Sequence, residues 1–226
     1  MSKARHCPPA EPTSTRDRHA LYLFAYDIGD DRRAREVRAC LQRWRLDGQY
    51  SVHETRLLPF QARELAAELL DYVDPALDSL LLGRLDQRHL APIRALSIAQ
   101  RRRPPLVGWP GPKQGAFSPR SGWYLLTYDV ADPRRLQRVQ KRAAKACVYL
   151  QRSVYLYHGA GERLGEVLAA VRDQIKPGID DVRLYALSGA GDLWFLSGPL
   201  PPLATLTRIA GASLWQKLIA WFKQPA

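Results

Sequence analysis

The sequence predicts an α+β protein: two tandem copies of one βαββαβ module, fused so that the halves form an intramolecular pseudo-dimer. Three observations predict it. First, the chain repeats itself at a fixed offset, 129 − 27 = 102 positions. This sets Tyr22-Leu23-Phe24-Ala25-Tyr26-Asp27-Ile28 against Tyr124-Leu125-Leu126-Thr127-Tyr128-Asp129-Val130. The same offset pairs Arg32-Arg33 with Arg134-Arg135, Gln49 with Gln151, Ser51-Val52 with Ser153-Val154, Pro75 with Pro177 and Asp78 with Asp180. One register held without a gap over about 64 positions has the length of a compact βα module, not of a chance strand match. Second, each copy runs through the same order of period-two and helical patterns. Third, the first strand of each copy is apolar on both faces, so its sheet needs two covers.

In each copy a strand opens the module, near 21–26 and 123–128, and an Asp ends it. A helix follows, with Asp30, Asp31 and Asp132 as N-cap candidates and Pro133 suited to a first helical position. Ala34, Val37, Leu41 and Trp44 recur at helical spacing in the first copy; Leu136, Val139 and Ala143 do so in the second. A β segment comes next, at 49–55 and 151–157, long enough for two short strands and a bend. The second helix carries Leu65, Leu69 and Val73, matched by Val167, Val171 and Ile175, and Pro75 and Pro177-Gly178 end it. Final strands are expected at 79–85 and 181–187. This order is the ferredoxin-like arrangement.

The predicted division is a disordered leader over 1–18, a first module over 19–99 and a Pro/Gly/Arg-rich linker over 100–121. A second module covers 122–198, and a tail over 199–226 holds an amphipathic helix near 206–223. Residues 90–99 read as an extra helix or strand of the first copy, and 192–196 as a strand.

Charge narrows the partner. Lys and Arg number 34 against 22 Asp and Glu, for a net charge of +12. Such an excess suits a polyanion, whose counterions are released as cations replace them. Cys7, Cys40 and Cys147 form no CxxC pair and are odd in number. That speaks against a disulfide framework or a zinc site, and for a reducing cytoplasm. No apolar run approaches the roughly 20 residues that cross a bilayer, and the polar N-terminus lacks a signal peptide's core, so no membrane is expected.

In the first strand, Leu21, Leu23 and Ala25 line one face and Tyr22, Phe24 and Tyr26 the other. Trp123, Leu125 and Thr127 stand against Tyr124, Leu126 and Tyr128 in the second copy. A module's own helices cover one face, and the sister copy is the simplest cover for the other. Equivalent residues then meet near a local two-fold. Asp27 and Asp129 stand at equivalent strand ends. Paired carboxylates there suit Mg²⁺ or Mn²⁺, hard cations able to polarise a phosphodiester and activate water. The competing reading, that each Asp merely caps its own turn, is weakened by their recurrence after an identical Tyr. Asp27 and Asp129 are the candidate catalytic and metal-binding pair.

The first helix of each copy is rich in cations. Arg32, Arg33, Arg35 and Arg38, with Arg134, Arg135, Arg138, Lys141 and Arg142, are the candidate nucleic-acid-binding residues. Arg32, Arg35 and Arg38 fall three apart and form a stripe, and Arg suits bidentate phosphate contacts. No base-reading motif is present, so sequence-independent, salt-sensitive binding is expected. His53 is a candidate general base set against a structural role, and Tyr155 in the second copy favours the latter.

Tyr26-Asp27-Ile28, Arg32-Arg33 and Gln49-Tyr50-Ser51-Val52-His53-Glu54 resemble the pattern of the CRISPR-associated small endonuclease, the second of the two universal adaptation proteins. Tyr128-Asp129-Val130, Arg134-Arg135 and Gln151-Arg152-Ser153-Val154-Tyr155 resemble a second, more degenerate copy. The resemblance implies a ferredoxin-like dimer with one Asp per subunit at a shared metal site. It also implies metal-dependent nuclease activity on RNA or DNA, and a scaffold role between two integrase dimers with duplex DNA across the basic surface. The family usually has Phe where His53 and Tyr155 stand, and Glu54 has Leu156 as its counterpart, which points to lost catalytic surface in the second copy.

The resulting expectation is a CRISPR adaptation component that binds duplex DNA and bridges integrase dimers, with the scaffold role favoured over Mg²⁺- or Mn²⁺-dependent cleavage. RNA is the second candidate substrate. A toxin-type endoribonuclease of the virulence-associated D kind, which shares the fold and an early Asp, is the alternative.

Overall fold

The computed structural model describes residues 19–86 and 120–198. The leader, nearly all of the linker, the 90–99 segment and the tail helix expected from sequence lie outside them. Module one runs β1 (Ala20–Asp27), α1 (Asp31–Gln42), β2 (Arg45–Gly48), β3 (Val52–Leu57), α2 (Pro59–Leu70) and β4 (Ser79–Arg84). Module two runs β5 (Gly122–Asp129), α3 (Pro133–Ala143), β6 (Val148–Gln151), β7 (Val154–Gly159), α4 (Gly161–Arg172) and β8 (Asp181–Leu187). A 3-10 turn at Ala190–Asp192 leads to β9 (Leu193–Ser197). The expected βαββαβ order is present twice.

Local chemistry explains the element starts. Asp30 accepts the Arg33 backbone N–H at 2.8 Å, and Asp132 accepts that of Arg135 at 2.8 Å. Each N-cap satisfies a donor that the helix leaves unpaired and contributes about 1 kcal/mol. Pro133 opens α3, where its missing N–H costs nothing. Two boundaries differ from those expected. Helix α1 stops at Gln42, and Trp44, counted on the helical stripe, lies beyond it and is exposed. Strand β2 starts at Arg45, ahead of the expected 49–55 segment, and pairs Asp47 with Glu54 and Gly48 with His53. Gly48 has φ +144°, and a Cβ there would collide with the Val52 carbonyl oxygen, so this tight hairpin accepts only glycine. Val73 and Ile175 fall past the ends of α2 and α4, yet both are buried.

The strands form two antiparallel sheets, ordered β2-β3-β1-β4-β9 and β6-β7-β5-β8. Strand β9 therefore belongs to module two in sequence and to module one's sheet in hydrogen bonding. It pairs Leu193, Trp194 and Phe195 with Gly83, Leu82 and Leu81, and Trp194 is buried in module one's core.

Alternation along β1 and β5 divides the core into three layers. Tyr22, Phe24 and Tyr26 pack under α1 and α2; Tyr124, Leu126 and Tyr128 pack under α3 and α4. The opposite faces meet. Leu23, Ala25, Val52 and Leu81 share a buried cluster with Leu125, Val154, Leu156 and Leu187. Each fully buried leucine there contributes about 1.5–3 kcal/mol, so the modules hold one another through their sheets.

A local two-fold is visible in the contacts. Gln49 Nε2 donates to the Asp181 carbonyl at 2.8 Å, and Ser79 Oγ donates to Gln151 Oε1 at 2.9 Å. The 102-residue repeat relates Gln49 to Gln151 and Ser79 to Asp181, so each link has its counterpart across the axis.

Candidate active site and nucleic-acid interface

Asp27 and Asp129 are the last residues of β1 and β5, where pairing fixes them opposite Ser79 and Asp181. Both line one cleft of ≈ 380 Å³ between the modules. Module one supplies Tyr26, Gln49, Tyr50 and Ser51 to its walls; module two supplies Tyr128, Arg152 and Ser153. The starts of both first helices also border it, through Asp31 and Leu136. The helix N-caps that follow them are Asp30 and Asp132.

The cleft is electrostatically shared. Burial pushes the Tyr149 phenol up, the Asp27 carboxylate of the other module adds to that rise, and Arg152 opposes it. Among the described residues no group of three or more His, Cys, Asp or Glu side chains converges into a metal cage. Asp27 and Asp129 do place oxygen-donor residues of both modules on the cleft lining, the donor type that hard cations such as Mg²⁺ take.

The halves of the cleft are not equivalent. In module one, Arg38 Nε donates to Tyr26 Oη at 3.0 Å, and the guanidinium lies 3.7 Å over the Tyr50 ring. The Tyr26 hydroxyl donates in turn to the Tyr50 carbonyl at 3.1 Å. In module two the repeat puts Gln140 in place of Arg38 and Arg152 in place of Tyr50. Ser153, on this second wall, adopts φ +67°, a left-handed conformation unfavourable for a non-glycine residue.

The cations named from sequence separate into two groups. Arg32, Arg35, Arg134, Arg138, Lys141 and Arg142 are exposed, with Arg32 3.4 Å from Glu36. Arg33 and Arg135 are not free for phosphate, contrary to the expectation from sequence. Arg33 grips Asp78 through Nε and Nη2 at 2.7 and 3.2 Å, and Arg135 grips Asp180 in the same way at 2.7 and 3.0 Å. Both aspartate side chains are fully buried. Burial alone would raise their pKa, but the Arg forks and the backbone N–H groups of Asp74 and Lys176 outweigh it and hold both carboxyls low. Arg38 is likewise turned onto tyrosines, so the expected Arg32–Arg35–Arg38 stripe is broken at its third member.

His53 sits on β3 with no exposed surface, its ring 5.9 Å from that of Tyr26. Burial pushes it down to about 4, and its ring nitrogens make no well-formed hydrogen bond. It is outside the cleft wall and serves as core, not as a base. Glu54 is also buried, and its carboxylate bonds Arg183 and Tyr185 of module two. Its replacement by Leu156 in the second copy is therefore a change in the packing between modules, not in a catalytic surface.

The family model for CRISPR associated protein Cas2 matches residues 20–91 and again 122–192. A CRISPR-associated endoribonuclease Cas2 from Allochromatium vinosum is 52% identical over 61 residues, which cover 27% of this chain and 65% of that protein. CRISPR-associated endoribonuclease Cas2 1 from Nitrosomonas europaea is 37% identical over 68 residues, covering 30% of this chain and 65% of its own length. For CRISPR-associated endoribonuclease Cas2 3 from Chloroflexus aurantiacus the figures are 37% over 65 residues, 29% and 70%. The chain thus spans a little under two-thirds of the first two relatives. A crystal structure of a hypothetical protein TT1823 from Thermus thermophilus aligns at a TM-score of 0.29 and 28% identity, over 30% of this chain and 83% of that one. With the family model matched twice, at the same two modules that the internal repeat defines, the chain belongs to the CRISPR associated protein Cas2 family and carries two copies of it.

Proposed function

We propose that this tandem protein is a CRISPR adaptation component that binds duplex DNA without sequence specificity and bridges integrase dimers. The observation that carries this reading is the shared cleft: two strand-end carboxylates from different modules, bordered by the starts of two cation-bearing helices. Exposed Arg32, Arg35, Arg134, Arg138, Lys141 and Arg142 supply the phosphate contacts, and fusion makes their spacing a fixed property of one chain. Family membership supports this reading over the toxin-type alternative.

A second reading, metal-dependent cleavage of RNA or DNA, is favoured by the names of the relatives, which are called endoribonucleases. Asp27 and Asp129 would hold the Mg²⁺ or Mn²⁺, which supplies Lewis-acid polarisation of the phosphodiester and a more acidic water. Arg152 positions and neutralises a phosphate, and the Ser51 and Ser153 hydroxyls orient it from opposite walls.

The full-length protein, with Mg²⁺ or Mn²⁺, is assayed on RNA and on duplex DNA beside Asp27→Ala/Asp129→Ala. Binding without cleavage supports the scaffold; cleavage that the double variant loses supports the nuclease. Absence of both would remove the proposal. Co-purification with the integrase tests the bridging.

A further inference from the structure

The cleft does not use the charged group buried between the sheets. Arg183 on β8 lies 3.1 Å from Glu54 Oε1 on β3, 3.3 Å from Asp47 Oδ2 on β2 and 2.9 Å from Asp181 Oδ2. Tyr185, on the same face of β8, donates its hydroxyl to the same Glu54 oxygen at 2.9 Å. Glu54, Arg183 and Tyr185 are all buried.

The pseudo-two-fold shows what stands at the mirrored position. The repeat relates Glu54 to Leu156, Arg183 to Leu81 and Tyr185 to Gly83. Leu81 and Leu156 are both buried in the cluster between the sheets. Gly83 is hemmed in, since a Cβ there would meet Leu125 Cδ1 at 3.2 Å, Leu187 Cδ2 at 3.6 Å and Leu193 Cδ1 at 3.8 Å. One side of the interface is thus an ion pair with a phenol, and the other is two leucines with a glycine that neighbouring leucines close over.

We propose that this cluster fixes the pairing as unlike with unlike, so that each module accepts only the other kind, in its own chain or in a second copy of the chain. Were module one to pair with itself, each Glu54 would lie against a Leu81 and lose both Arg183 and the Tyr185 hydroxyl, with Gly83 standing where the Tyr185 ring does. Were module two to pair with itself, each Arg183 would keep its own Asp181 but face a Leu156 in place of Glu54, and each Tyr185 hydroxyl would lose its Glu54 acceptor. Breaking a buried ion pair costs far more than exchanging one apolar contact for another, so both like pairs are disfavoured at the same spot. Strand β9 of module two adds to the same unlike pairing by hydrogen-bonding to β4 of module one.

The test nicks the folded full-length chain at a protease site inserted after Gly111, then unfolds and refolds it so that the halves re-pair freely. Native mass spectrometry distinguishes the three pairings by mass. The unaltered sequence is expected to return unlike pairs alone. Glu54→Leu/Arg183→Leu keeps β9 but removes both charges, and is expected to raise the share of like pairs about tenfold or more. Glu54→Leu alone is expected to release pairs of module one and none of module two, which keeps the test decisive should the double variant not fold. Like pairs from the unaltered sequence, or unlike pairing that survives these substitutions unchanged, would overturn the proposal.

Discussion

Acid should destabilise this protein well above the range where its carboxylates titrate, and His53 is the reason. The imidazole is fully buried, and burial, with Arg45 nearby, pushes it from an ordinary 6.5 down to about 4. Its folded pKa is depressed, so the sign is fixed. Stability is full above the unfolded value and is lost as pH falls toward the folded one. Between 6.5 and about 4 the unfolded chain takes up a proton that the folded chain refuses. At about 1.4 kcal/mol per pH unit, that interval removes about 3 kcal/mol. For a typical domain stability of about 5–15 kcal/mol this is a large share. The perturbation is His53→Phe, which keeps an aromatic ring and removes the titration. The assay is urea unfolding from pH 7.5 to 4.5 on both proteins. Both keep every carboxylate and the other histidines, so their difference isolates residue 53. The variant should match or exceed the wild type at pH 7.5, since it deletes two buried polar atoms without good partners. The two curves should then diverge as pH falls. Parallel curves would show that His53 protonates without cost in the fold, and the buried, non-catalytic assignment would fall with them.

Three further outcomes follow from the same structure. Replacing Arg138, Lys141 or Arg142 by Ala should weaken duplex binding evenly across sequences and reduce the salt slope by about 0.9 for each phosphate no longer neutralised, as read from titrations at several salt concentrations. Asp78→Asn should flatten the acid limb below the ordinary carboxylate value of 3.8, because the Arg33 fork holds that carboxyl low and its stabilisation disappears only as pH falls through the depressed folded value. Cys40 and Cys147 should resist thiol reagents in the native protein and react on unfolding, followed by mass mapping. Burial raises both thiols, Cys147 to about 12, and the reactive thiolate is correspondingly scarce.

Much of the fold was legible because it is written twice. A period-two run with two apolar faces can rest only between two covers, and Leu23 and Leu125 meet in the layer that the pattern demanded. The caps were legible too, since Asp30 and Asp132 act through local geometry. What escaped depends on distant contacts. Trp44 has the spacing of a helical face, but the chain leaves the helix at Gln42 so that β2 can reach β3. A strand at β9 was readable; the sheet it joins was not, because nothing local tells a strand which edge to seek. Arg33 and Asp78 both recur in the repeat, yet no pattern says that they touch across 45 residues. The basic stripe looked uniform, and tertiary partners divide it into exposed cations and structural ones.

Fusion changes what the two-fold permits. In a dimer of identical chains every substitution near the axis appears on both sides, so Glu54 could not face an arginine without a second glutamate doing the same. Within one chain the two sides vary separately. The cleft then carries Tyr50 on one wall and Arg152 on the other, and Arg38 braces only the first. A duplex crossing this axis meets an aromatic ring stacked on a cation on one side and an exposed cation on the other. The cleft is symmetric in outline but not in detail, so a duplex bound across it as proposed would have a preferred direction.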